Sequence, residues 1–206
     1  DQLGGPAPFP VMTAIALAAP ALRVGTFVVN SAFYRPALLA RDVGALHELS
    51  EGRFELGLGT GYVKEEFDAA GLRYPSAGER VDHLRDTCEY MAEHVPDVPI
   101  MIAGNGDRVL RIAARWADII GLTGGDRPAE PGDDPLAERI GFVRDAAGER
   151  FDELELNVAV TAPHDPCPST TTSGVPNWVA ANSTLPIWVG ATMLPATRIT
   201  KRSPKP

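Results

Sequence analysis

Apolar residues along this chain follow two alternating rhythms: short continuous runs, and stretches where they recur every three or four positions. From Leu22 to Asn30 the run LRVGTFVVN is β-branched, aromatic and apolar on both faces, as a parallel strand covered by helices requires. Pro36 then predicts a helix to about Leu49 with Leu39, Val43 and Leu46 on one stripe, and Gly52 breaks it before a second strand, Arg53 to Leu58. Ser76 and Glu79 have the spacing of a capping box ahead of a helix carrying Val81, Leu84, Cys88 and Met91, which Pro96 and Pro99 end. A third strand, Val98 to Ala103, runs through AGNGD into a helix bearing Val109, Leu110, Ala113 and Ala117, followed by a short strand, Asp118 to Leu122. Asp134 and Pro135 pair as N-cap and first turn of a helix with Leu136, Ile140 and Val143 inward, and Leu154, Leu156, Val158 and Val160 then alternate as a strand. Strands and helices that take turns in this way predict an α/β fold with a parallel sheet and right-handed crossovers.

Beyond Ala162 the pattern stops. Pro, Ser and Thr dominate residues 163–206, which read as an irregular C-terminal tail, so the expected division is a body over 1–162 and this tail. Within the tail LPIWVGAT echoes VPIMIAGN of the body; a further strand and the chance similarity of short apolar runs both account for it, chance being the simpler. All 27 acidic residues lie at or before Asp165, against 15 of the 19 basic ones, so the body is strongly acidic. That charge offers no field for phosphate backbones or anionic lipid, which argues against nucleic-acid and membrane partners and for a small-molecule substrate. No apolar run approaches the roughly 20 residues that span a bilayer, and the start lacks the basic and apolar regions of a signal peptide, so a cytoplasmic location is expected. The two cysteines, Cys88 and Cys167, are too far apart for metal-ligand spacing, and no metal site is expected.

In parallel α/β folds ligands bind where strands end and helices begin. Three such junctions stand out. After the first strand, Asn30 and Ser31 offer short polar side chains. After the second, GLGTGYVKEEF brings Gly59, Thr60 and Gly61, whose small size lets a planar or anionic ligand reach the backbone; its glycines alternate, so it is not a dinucleotide fingerprint. After the third, Gly104, Asn105 and Gly106 present free N–H groups and a helix dipole at one point, where either a phosphate binds or Asp107 caps the helix itself. Tyr62 and Glu66 sit at the predicted mouth as candidate substrate-positioning or catalytic groups, although Glu66 reads equally as a solvated helix charge. For the histidines, including His47 and His83 on predicted helices, structural roles are the expectation.

The string from ALRVGTFVVN through PALLARDVGALHELSEGRFELGLGTGYVKEEFDAAG to PIMIAGNGDRVLRIAARWADIIGL resembles the luciferase-like flavin and deazaflavin oxidoreductases, particularly those using coenzyme F-420; its most specific part is ELSEGRFELGLGTGYVKEEFDAAG. The resemblance covers about residues 1–160. It implies a (β/α) TIM-barrel-like sheet with coenzyme F-420 or FMN across the mouth, and a non-proline cis peptide at about Val29 and Asn30. It also implies a cofactor phosphate held at Gly104, Asn105 and Gly106, with Thr123 supplying a hydroxyl. The sequence departs from the family at Asp1 and Gln2, where an Asp-His pair is frequent, and at Tyr62, where the sugar-phosphate dehydrogenases place a Glu. A closed barrel takes about 250 residues and eight strands. The five strands counted here predict an open barrel with bare edges at Leu22–Asn30 and Glu153–Thr161, covered by the tail, by a second copy in a homodimer, or by nothing if the chain is a fragment or a decayed gene product. The functions that follow are a flavin- or F-420-dependent oxidoreductase or monooxygenase of a small organic substrate, or a non-catalytic flavin-binding or vestigial relative.

Overall fold

A computed structural model describes residues 5–123 and 134–159. Its elements are α1 (Pro8–Ala18), β1 (Val24–Gly25), β2 (Val29–Asn30), α2 (Pro36–Leu49), β3 (Phe54–Gly59), α3 (Lys64–Ala69), α4 (Ala77–His94), β4 (Ile100–Ala103), α5 (Asp107–Trp116), β5 (Ile119–Thr123), α6 (Pro135–Ala147) and β6 (Glu155–Ala159). All strand pairs are parallel, in the order β1, β3, β4, β5, β6, with β2 also on β3. Among the described residues the sheet ends at β1 and β2 on one side and at β6 on the other, the two edges expected from the strand count.

Period-two alternation sorts the strands onto two faces. Phe54, Leu56 and Leu58 of β3, Ile100 and Ile102 of β4, and Ile120 and Leu122 of β5 are buried in one apolar core. Leu39, Val43 and Leu46 of α2, Leu84, Cys88 and Met91 of α4, and Leu110 and Ala113 of α5 meet them there. Each large apolar side chain so buried contributes about 1.5–3 kcal/mol. The neighbours α1 on α2, α2 on α4, α4 on α5 and α5 on α6 place these helices in one layer against that face. The intervening residues Glu55, Gly57, Gly59, Met101, Ala103 and Gly121 belong to the opposite face.

Local chemistry sets the helix starts. Ser76 Oγ accepts from the Glu79 N–H at 3.3 Å while the Ser76 N–H donates to Glu79 Oε2 at 2.7 Å, the reciprocal capping box expected. Arg73 also donates to Glu79, and these bonds, led by that from Arg73, pull its carboxyl down to about 2. Asp134 accepts from the Ala137 N–H at 3.0 Å and caps α6 as the sequence indicated.

The first strand is corrected. Leu22–Asn30 is not one continuous strand: β1 and β2 are two short pairings with β3, interrupted over Thr26–Val28. The cis peptide joins Phe27 to Val28, upstream of the expected Val29 and Asn30. Helix α1 has no counterpart in the sequence reading, because its residues are apolar almost throughout and show no polar face against which a helical period can be seen. Pro8 and Pro10 fit its first turn, where backbone N–H groups have no helical partner. Arg53 ties α1 to the sheet, donating to the carbonyls of Ala16 at 2.8 Å, Ala19 at 3.3 Å and Leu22 at 2.6 Å.

Candidate functional site

Because the strands are parallel, their C-terminal ends share one edge. The registers Asn30 with Gly59, Leu58 with Ile102, Ala103 with Gly121 and Thr123 with Ala159 fix that alignment. The turns beginning at Ser31, Thr60 and Gly104 therefore leave the same rim of the sheet.

Beneath the rim, the Thr26–Val28 segment crosses the face turned away from the helices. A Cβ on Gly57 would lie 1.8 Å from the Thr26 carbonyl oxygen, and one on Gly59 would lie 2.8 Å from Val28 Cγ2. Thr26 is locked there: the Gly57 N–H donates to its Oγ1 at 2.9 Å, and that hydroxyl donates to the Gly57 carbonyl at 3.1 Å. The alternating glycines thus first make room for the chain itself. Gly59, read from sequence as open to a ligand, is buried under Val28. Phe27 reaches across the same face, since a Cβ on Gly121 of β5 would meet Phe27 Cε2 at 3.5 Å. Phe27 is 41% exposed, which makes an apolar shelf on that face.

Asn30 and Ser31 lie at the strand end where the sequence reading puts short polar side chains, and both are buried there, at 5% and 0% exposure. The Asn30 Oδ1 accepts from the Ala32 N–H at 3.0 Å, while its Nδ2 has no hydrogen-bond partner among the described residues, nor has Ser31 Oγ. Gly61, with φ at +66°, packs against that amide so closely that a Cβ would fall 2.2–2.3 Å from Asn30 Oδ1, Cγ and Nδ2. Thr60 and Gly61 are half-buried. The His83 Nε2–H donates to the carbonyls of Ser31 and Tyr34, each at 3.0 Å, and the His47 Nδ1–H donates to the Phe54 carbonyl at 3.1 Å, structural roles in both cases.

Tyr62 stands 81% exposed, its carbonyl accepting from the Tyr74 hydroxyl at 3.0 Å. Glu66 lies half-buried on α3, with no ion pair among the described residues. Gly104, Asn105 and Gly106 form the turn into α5, where the Gly104 N–H donates to the Gly121 carbonyl at 3.3 Å. Gly106 is the N-cap, and apart from its chain neighbours no atom of the described residues lies within 4 Å of where a Cβ would be. Among the described residues the α5 N-terminus has no side-chain cap: Asp107 does not turn back on the helix but accepts from Arg139 at 2.8 Å. Thr123 closes β5, and its side chain lies outside the described residues, as do Asp1, Gln2 and the 163–206 tail with its LPIWVGAT run.

Sequence reasoning missed Thr26, Phe27 and Val28, which it absorbed into a strand, and Arg139, which carries no local signal. Gly57 and Gly59 on one face of β3 were the available clue, since two missing side chains in line call for something to fill the space. Among the described residues there is no cluster of His, Cys, Asp and Glu suited to a metal, and no helix long and apolar enough to cross a membrane.

This architecture has relatives. The F-420-dependent glucose-6-phosphate dehydrogenase of Mycolicibacterium fortuitum is 27% identical over 209 aligned positions, covering 88% of this chain and 62% of that protein. The 5,10-methylenetetrahydromethanopterin reductase of Methanolobus tindarius is 29% identical over 130 positions, covering 53% of this chain and 40% of that protein. In structure, the coenzyme F-420-dependent tetrahydromethanopterin reductase of Methanopyrus kandleri superposes with a TM-score of 0.64 at 18% identity, over 77% of this chain and 55% of that one, so the fold is of its barrel type. The chain thus spans less than two thirds of the length of these relatives. The luciferase-like monooxygenase profile matches residues 1–164, the stretch that builds the parallel sheet and all three rim turns, and the chain belongs to that family.

Proposed function

We propose that this chain carries the cofactor-binding part of an oxidoreductase that uses coenzyme F-420, with FMN as the alternative, on a small organic substrate. The observation that carries this reading is the buried Asn30 Nδ2 beside Gly61, without a hydrogen-bond partner among the described residues, on the rim that also holds the N-terminus of α5, which has no side-chain cap among them. A buried amide donor left unpaired costs about 1–3 kcal/mol, which a ligand carbonyl or hydroxyl at that point would recover. A phosphate at the Gly104–Gly106 turn would take the N–H groups of Gly106 and of the first turn of α5, which no side chain caps among the described residues. The residues present therefore fit a phosphorylated ring cofactor.

Bound, the reduced cofactor supplies a hydride, or as a flavin it activates oxygen. The chain's own residues bind and orient it. Phe27 and Val28 give an apolar surface for a ring, Asn30, Ser31, Thr60 and Gly61 form its polar margin, and Thr123 adds a contact at the next strand end. Tyr62 and Glu66 position the substrate. The apolar shelf would keep water from the ring face, where electrostatic interactions then strengthen.

A non-catalytic flavin-binding role is the second reading. It is favoured by Tyr62: the resemblance to the family's sugar-phosphate dehydrogenases implies a Glu at this position, where an exposed phenol stands instead of a proton-transfer carboxylate. A cytoplasmic location without nucleic-acid partners accords with the acidic charge, and a homodimer would cover the edges along β1 and β6.

Calorimetric titration of the purified protein with coenzyme F-420 and then with FMN tests the reading. Saturable one-site binding of either is the expected outcome, with cofactor-dependent turnover separating an enzyme from a binding protein. Absence of heat with both ligands refutes the proposal.

A further inference from the structure

An acidic residue at the first position of α5 is at odds with a phosphate site there, since its carboxylate competes for the same N–H groups and repels the ligand. The structure resolves the conflict through Arg139, one turn into α6. Its Nη1 donates to Asp107 Oδ1 at 2.8 Å and to the Asn105 carbonyl at 3.3 Å, and its guanidinium lies 5.9 Å from the Phe142 ring centroid. One side chain from a neighbouring helix thus holds both the middle of the Gly104–Gly106 turn and the carboxylate just beyond it. The donor comes from α6 rather than from α5, whose N-terminus has no side-chain cap among the described residues.

We infer that Arg139 is a positioning residue for the cofactor phosphate: it draws the Asp107 carboxylate aside, offsets its charge, and fixes the turn that presents the backbone donors. The inference rests on the proposed cofactor reading and adds to it the group that makes an acidic first turn compatible with an anion. Three consequences follow from charge alone. Loss of Arg139 frees Asp107 to swing onto the α5 N–H groups and leaves a net negative charge beside the phosphate. The harm falls on ligands that bear a phosphate and spares those that do not. Removing the Asp107 charge as well relieves it, because the conflict then has no source.

The ion pair is partly exposed, with side-chain exposures of 32% for Arg139 and 55% for Asp107, so the effect is screened. In low salt Arg139→Gln is expected to weaken a phosphate-bearing ligand by roughly threefold to tenfold, and the difference should shrink as salt rises.

The experiment measures binding of two matched pairs by fluorescence or calorimetry: FMN against riboflavin, and coenzyme F-420 against its deazariboflavin core, which lacks the phosphate. Wild type is compared with Arg139→Gln, Arg139→Lys, Asp107→Asn and the double variant Arg139→Gln with Asp107→Asn. The expected pattern is a selective loss of FMN or F-420 affinity in Arg139→Gln, unchanged riboflavin or deazariboflavin binding, partial retention in Arg139→Lys, and recovery in the double variant. An equal loss for phosphate-bearing and phosphate-free ligands would make Arg139 a purely structural support and overturn the inference, as would failure of the double variant to recover the affinity lost in Arg139→Gln. If wild type binds neither member of either pair, the cofactor reading itself is lost and this inference with it. If it binds both well and Arg139→Gln changes nothing, only the inference falls.

Discussion

Gly57→Ala is expected to cost at least about 3 kcal/mol of folding stability, a large share of the roughly 5–15 kcal/mol typical of a native domain. The added methyl would sit 1.8 Å from the Thr26 carbonyl oxygen and 2.9 Å from its carbon, and backbone atoms cannot rotate out of the way. Nor can the crossing segment lift off cheaply. The Thr26 hydroxyl is bonded to both the N–H and the carbonyl of Gly57, so separation breaks two buried hydrogen bonds. The same substitution at Gly141, inside α6 with nothing within 4 Å of the new atom, should instead stabilise the protein by about 0.5–1 kcal/mol, because alanine restricts the unfolded chain and favours a helix. Urea unfolding of both variants beside wild type checks the contrast. A Gly57→Ala midpoint equal to that of wild type would mean that Thr26–Val28 does not cross β3 in the way described.

Gly61→Ala is expected to weaken cofactor binding by at least about tenfold, or 1.4 kcal/mol, with a stability loss of about 1–3 kcal/mol. Two effects add. At φ +66° alanine pays the left-handed penalty, and its Cβ would overlap the Asn30 amide at 2.2–2.3 Å. Asn30 must then turn away, which breaks its bond from the Ala32 N–H and removes the unpartnered Nδ2 from the rim. Combining Gly61→Ala with Asn30→Gly separates the parts: the overlap is gone, so stability should partly return, while affinity should stay low because the amide is absent. Thermal unfolding and equilibrium dialysis against coenzyme F-420 measure the two quantities. Full affinity in the double variant would show that the Asn30 amide does not contact the cofactor.

Most of the scaffold could be read from the chain before any coordinates. Helix α2 begins at Pro36 and ends at Leu49 as its apolar stripe indicated, and the Ser76–Glu79 box and the Asp134 cap form the bonds their spacing implied. These features are local: a cap, a stripe or a proline acts within one turn, so sequence proximity carries the information. Helix α1 was hidden because an almost wholly apolar segment has no period to detect. The break at Thr26–Val28 was hidden for a different reason. Its cause lies in the glycines of β3, about thirty residues away, and apolar β-branched residues look the same whether they pair in a ladder or cross it. The site divides along the same line. Glycine turns at strand ends mark the rim, since the parallel topology brings them to one edge. Whether Asn30 points to solvent or inward, whether Gly59 faces a ligand or Val28, and how Asp107 is kept off its own helix depend on contacts between distant elements. Arg139 meets Asp107 and Asn105 only because α6 packs against α5.

Under the proposed function the ends of β2, β3 and β4 form a single cradle for one phosphorylated ring cofactor. Backbone amide shifts of isotope-labelled protein, followed by NMR while coenzyme F-420 or FMN is added, test it most directly. Shifts at Asn30 to Ala32, at Gly59 to Gly61 and at Asn105 to Arg108 are expected to move together and saturate at one ligand concentration. Shifts confined to a single turn, or at sites away from all three while the cofactor binds, would contradict it.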